Sequence, residues 1–265
     1  MYQENDNTKV TLVVHSYGGQ VSLYFLNRIV NQQWKDTYIH SYIPLAAAWS
    51  GGAGIDFVLL SGSPPFSFLE TQIGISRVIS IYQYTPSFYY LLPRASIWND
   101  TVIVHTSDRN YTASTSDYQQ LFTDAGIPDG YSQFLDSENA IDLSPPSVTT
   151  YCFYGLGIPT PLTFEYGDGF NETPTDYTFD DGDGLVNRQG LEVCRQWEGR
   201  NGGYMFNLTI FQGVDHSDIL RKETVLQTIA TIASIAQLQV PTSSAFPLST
   251  LQITYLIILF IVITF

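Results

Sequence analysis

Ser16 sits where a serine can do chemistry. It closes the apolar run "TLVVH" and is followed by Tyr17, Gly18 and Gly19. A hydroxyl at the end of a buried strand, on a sharp turn into a helix, is presented for attack. Such a turn is cramped, and Gly18 supplies the small neighbour it needs; Val14 stands where the usual elbow motif has a second glycine. The turn also brings the Tyr17 backbone N–H to a helix N-terminus, where it stabilises an oxyanion. These residues predict nucleophilic acyl chemistry at Ser16.

A serine needs a base, and the base needs an orienting acid. The chain has four histidines. His15 lies inside the elbow, His40 inside a strand, and His105 before the later strands. Only His216, in "GVDHSD" ahead of a helix, follows those strands. The order serine, acid, histidine selects His216. The candidate acids lie in "DYTFDDGDGLVN", read as a glycine-rich loop. That segment is not an EF-hand. Putting Gly182 or Gly184 at loop position six starts the loop on Tyr177 or Phe179 rather than on an aspartate.

Positioning these groups takes a scaffold. Residues 9–15 and "YIHSYIPLAAAW" read as buried strands. Between them, residues 18–33 read as one helix with Val21, Phe25, Leu26, Ile29 and Val30 on one side. Strand, helix, strand with continuous apolar strands implies a parallel sheet and a right-handed crossover. Residues 56–147 lose that rhythm, carry Tyr82, Tyr84, Phe88, Tyr89 and Tyr90, and read as an inserted cap. Strands return at "TTYCFYGLG" and "YMFNLTIFQG", and residues 218–238 read as helical. The expectation is an α/β-hydrolase fold. Residues 1–55 and 148–240 form its core, 56–147 the cap, and 241–265 a linker with an apolar tail.

Composition bounds the partners and the compartment. The net charge of -14 and pI of about 4.4 repel phosphate backbones and exclude nucleic acid. Four N-x-[ST] sequons, at Asn99, Asn110, Asn171 and Asn207, and an even cysteine count favour the secretory pathway. "MYQENDNTK" is not a signal peptide, so a longer protein is expected. No charge follows Glu223. The last 21 residues, from Ala245, are uncharged and end in "ITYLIILFIVITF". With Ser243, Ser244 and Ala245 before them, they read as a GPI-type signal or a spanning anchor.

Several segments together resemble one family. "HSYGG…LYFLNR", "WKDTYIHSYIPLAAAWSGG", "LLSG", "NYTASTSDYQQLF", "YCFYGLGIPTP", "DGDGLVN" and "CRQW" are similar, in order, to lecithin–cholesterol acyltransferase and lysosomal (group XV) phospholipase A2. The resemblance implies Ser16 as nucleophile, His216 as base, and Asp183, the second aspartate of "DGDG", as the orienting acid. It implies a Cys152–Cys194 disulfide. It also implies a second oxyanion donor, further sheet strands and a membrane-binding region from an upstream segment. "LAAAWSGG" departs from the family's Leu-Gly-Ala-Pro-Trp-Gly-Gly.

The activity this implies is acyl transfer from a phospholipid to water or to a lipid hydroxyl at a membrane surface, in a lysosomal or extracellular setting. No metal or cofactor is called for. Two other readings stand beside it: a secreted lipase or carboxylesterase using the same groups, and a catalytically dead, membrane-tethered lipid-binding relative.

Overall fold

The computed structural model describes residues 3, 7–61, 74–170 and 173–238, with side chains to 234. The expected apolar tail and the sequon at Asn171 lie outside these residues. Among the described residues, no helix is long and apolar enough to cross a membrane.

A mixed α/β architecture with a parallel sheet carries the site. Strands β1 (Val10–His15), β2 (Ile39–Leu45), β5 (Thr150–Leu156) and β8 (Phe206–Gln212) are all parallel, in the order β1-β2-β5-β8. The sheet interior explains the near-continuous apolar strands. Val13 and Val14 of β1, Tyr42 and Ile43 of β2, and Phe153 and Tyr154 of β5 are buried. Polar residues on these strands find partners inside: the Thr11 and Ser41 hydroxyls lie 3.0 Å apart.

The segment expected as one helix from 18 to 33 is broken. Helix α1 (Tyr17–Tyr24) runs into a π-turn over Phe25–Ile29, and a new helix, capped by the Asn31 side chain, begins at Gln32. A π-turn spreads one turn over more residues than an α-helix does, so positions beyond it leave the α-helical register. Leu23 and Leu26 are buried, whereas Ile29 is 62% exposed and Val21 37%. Of the expected stripe, Leu26 is buried and Phe25 and Val30 pack against the core, whereas Val21 and Ile29 turn to solvent.

A second sheet runs β4-β3-β6-β7, from β3 (Val102–Thr106), β4 (Arg109–Thr112), β6 (Ile158–Glu165) and β7 (Asp176–Gly182). The β3–β6 pairing is parallel and joins residues of segment 56–147 to residues beyond it. Among the described residues, the remainder of that segment carries helices at Ile75–Gln83, Pro86–Tyr90, Ala95–Trp98, Thr115–Asp124 and Gly130–Ala140, and the helix Gly54–Ser61 runs into its start. Its aromatics form much of its core. Tyr82, Phe88 and Tyr89 are buried, while Tyr84 is exposed.

"DYTFDDG" is strand rather than loop. It pairs antiparallel with β6, and the loop begins only at Asp183. Alternating Tyr177 and Phe179 give the period-two pattern of a strand. Cys152 and Cys194 form a disulfide with Cα atoms 6.7 Å apart, tying β5 to the turn after "DGDGLVN".

Candidate active site

The C-terminal ends of β1, β5, β7 and β8 bring Ser16, Asp183 and His216 together. Ser16 takes φ 55°, a left-handed conformation that side chains resist. Its N–H donates to the Leu45 carbonyl at 3.0 Å, which pins the turn to the end of β2. The helix then crosses β2 closely. A Cβ on Gly19 would overlap that of Ala47. Gly19, one residue past the glycine read from the motif, is thus a cramped position of this turn.

His216 Nε2 lies 2.9 Å from Ser16 Oγ, and His216 Nδ1 lies 2.8 Å from Asp183 Oδ2. Asp183 is fully buried, and its other oxygen accepts from the N–H groups of Leu185 and Val186 at 3.1 and 2.8 Å. The carboxylate is thus held by backbone donors and its remaining oxygen faces the imidazole. With Nδ1–H donated to a carboxylate, Nε2 carries the lone pair and accepts from the serine. That is the proton arrangement a hydroxyl nucleophile requires.

Two loops converge because β5 carries a glycine. A Cβ on Gly155 would overlap the Val214 carbonyl, two residues before His216, and would also touch Asp183. The His216 N–H donates to the Asp183 carbonyl at 2.9 Å, so the two loops also share backbone. Asp215 Oδ1 accepts from the Ser217 and Asp218 N–H groups and sets the turn that follows.

Asp181, the neighbouring acid, points elsewhere. It pairs with Arg188 and accepts from the Gly157 N–H at 2.7 Å. Slight burial pushes its pKa up, but these partners outweigh burial and hold it below the usual carboxylate value. His40 and His105 bond to Ser41 and Asn110.

Tyr17 opens α1, where the first N–H groups of a helix have no intrahelical acceptor. Its phenol is pushed up to about 12, by burial and then by Tyr90, and stays protonated. A part-open cavity of about 180 Å³ begins at this residue and runs between Val21 and Tyr24 of α1, Tyr90, and Ile141–Leu143.

The family model for lecithin:cholesterol acyltransferase matches residues 1–139 and 130–223. The chain belongs to that family. It is 36% identical over 222 residues to the dog (Canis lupus familiaris) protein called lysosomal phospholipase A and acyltransferase, covering 82% of this chain and 52% of that one. To human phosphatidylcholine-sterol acyltransferase it is 33% identical over 238 residues, covering 89% of this chain and 52% of the relative. The chain spans about half the length of the curated relatives it matches. In fold, it superposes on a chain of the Tle4–Tli4 complex with a TM-score of 0.52 and 12% identity, covering 89% of this chain and 63% of that one.

His15, set aside above for its place inside the elbow, lies in the site as well. Its Nε2 is 2.8 Å from the His216 carbonyl oxygen, and the two rings are 4.7 Å apart. Strand position alone does not reveal this contact, because it depends on where a loop 201 residues away returns. The sequons at Asn99, Asn110 and Asn207 are exposed. Among the described residues, no group of histidine, cysteine and acidic side chains is placed to hold a metal.

Proposed function

We propose that this chain carries the acyl-transfer centre of a phospholipid-acting serine esterase, a phospholipase A and transacylase with an α/β-hydrolase fold and an inserted cap. The observation that carries the reading is the continuous hydrogen-bonded line from Ser16 Oγ through His216 to Asp183. Family membership supports the substrate class.

In the first half-reaction His216 Nε2 takes the Ser16 proton as Oγ attacks the ester carbonyl carbon. The Tyr17 N–H receives part of the oxyanion's charge. Asp183 stabilises the imidazolium without taking its proton. The tetrahedral intermediate collapses, the C–O bond to the lysophospholipid breaks, and His216 protonates that leaving oxygen. The acyl group remains as an ester on Ser16. In the second half-reaction His216 deprotonates water or a lipid hydroxyl, which takes the acyl group and frees Ser16. The cavity beside Tyr17 and Tyr90 suits an acyl chain. The protein meets its substrate at a membrane surface in the secretory pathway, with a lysosomal setting favoured by the name of its dog relative.

The test is a fluorophosphonate probe and phosphatidylcholine vesicles on the full-length protein. Labelling and acyl release should both vanish in Ser16→Ala. Labelling that persists in Ser16→Ala overturns the reading. Absence of labelling in the unaltered protein would favour a catalytically dead lipid binder. Faster turnover of triacylglycerol or soluble esters than of phosphatidylcholine would point to the lipase or carboxylesterase reading.

A further inference from the structure

We propose that His15 is a positioning residue for the general base: its Nε2–H donates to the His216 backbone oxygen and locks the base's loop to the nucleophile's strand. This rests on the reading of His216 as base. His216 has polar atoms on both its backbone and its ring, and each is held. Its N–H donates to the Asp183 carbonyl at 2.9 Å, its Nδ1 faces Asp183 Oδ2 at 2.8 Å, and its Nε2 faces Ser16 at 2.9 Å. The fourth is the carbonyl oxygen, 2.8 Å from His15 Nε2. Without that bond the His216 backbone is tied by hydrogen bonds to the Asp183 loop alone. With it, the β1 end that presents Ser16 also fixes the imidazole that must reach Ser16.

The chemistry of the contact sets the tautomer. A carbonyl oxygen only accepts, so His15 carries its proton on Nε2. Its Nδ1 lone pair is then bare, and that atom is buried with no hydrogen-bond partner. A buried acceptor without a partner carries an uncompensated desolvation penalty. An apolar residue would fill the volume without that cost, but it would not bond. Burial, and then the neighbouring His216, push His15 down to about 4. It therefore stays neutral at working pH and adds no positive charge to oppose the imidazolium formed on His216 during turnover.

The experiment compares His15→Phe and His15→Gln in the full-length protein. Phenylalanine keeps the ring bulk and loses the donor. Glutamine keeps an N–H at similar reach. His15→Phe should lower kcat about 10- to 100-fold with KM little changed, since small misplacements of a catalytic group cost rates of that order. His15→Gln should recover at least half of that loss on a logarithmic scale. A second readout needs no turnover. The downfield proton resonance of His216 Nδ1–H should be sharp in the unaltered protein, broadened or lost in His15→Phe, and restored in His15→Gln. Where His15→Phe does not fold, His15→Asn replaces it, its amide too short to reach the His216 oxygen. Unchanged resonance in the donor-free variant overturns the positioning role, whatever happens to kcat. A protein inert towards phospholipid that still shows this pattern overturns the proposed function alone.

Discussion

Asp183 Oδ2 lies 2.8 Å from His216 Nδ1, while Asp181, two residues earlier, turns away to Arg188 and the Gly157 N–H. Residues two positions apart on a strand share a face, but β7 ends at Gly182, and the loop that starts at Asp183 turns its carboxylate to His216 instead. Asp183→Asn should therefore lower kcat for acyl release from phosphatidylcholine vesicles by about 10⁴-fold, because an amide favours the wrong imidazole tautomer. Asp181→Asn should stay within about 10-fold of the unaltered enzyme, its loss felt in stability. The opposite ranking of the two variants would show that the acid was misassigned.

The disulfide joins Cys152 in β5 to Cys194, a sequence separation of 42 that encloses β6, β7 and Asp183. Chain-entropy arguments give about 4 kcal/mol for a loop of that length. Cys152→Ser with Cys194→Ser should lower the thermal midpoint accordingly. Activity should fall with temperature earlier than in the intact protein, since the braced loop carries the acid. Peptide mapping without reductant that recovers both thiols free would remove the basis for this.

Parts of this architecture are legible in the chain because they are written in local patterns. The parallel strands announce themselves as apolar runs ending in glycine-rich turns, and the elbow as a His-Ser at such an end. His216 follows from chain order. What is not legible depends on contacts distant in sequence. The π-turn at Phe25–Ile29 breaks the helical register, and Ile29 at its end turns to solvent. β7 hides in "DYTFDDG" because its acidic residues look like a loop until β6 pairs with them. The role of His15 appears only when the His216 loop closes onto β1.

Gly155 marks where three elements meet. A side chain there would overlap the Val214 carbonyl and press on Asp183. Gly155→Ala should push the loop carrying His216 outward. Overpacking of this kind costs about 1–3 kcal/mol. A shift of about 1 Å at a catalytic group costs about 10²-fold in rate. Stability and kcat should therefore fall together, with the fluorophosphonate label slowed by a similar factor. Normal labelling with only lowered stability would show that the loop relaxes without moving His216.

Asp56 is the buried acid that the proposed reaction does not use. It is 1% exposed, Oδ1 has no hydrogen-bond partner, and Oδ2 lies 3.4 Å from the Tyr118 hydroxyl. Burial pushes its pKa up to about 8, more than Tyr118, its own backbone and the charge of Arg94 pull it down. In the unfolded chain an aspartate titrates near 4. Below about pH 4 both states hold the proton and Asp56 is neutral to stability. Between about 4 and 8 the unfolded state loses it while the folded state keeps it, so folding weakens as pH rises, by up to about 1.4 kcal/mol per unit. Above about 8 the penalty levels off. Asp56→Asn should remove this dependence. Surface acids held low by their partners act in the opposite sense, so the informative quantity is the difference between the two proteins. The variant should gain on the unaltered protein steadily from pH 4.5 to 7.5, measured as urea midpoints. A difference that stays flat across that range would mean that Asp56 ionises in the fold as it does in water.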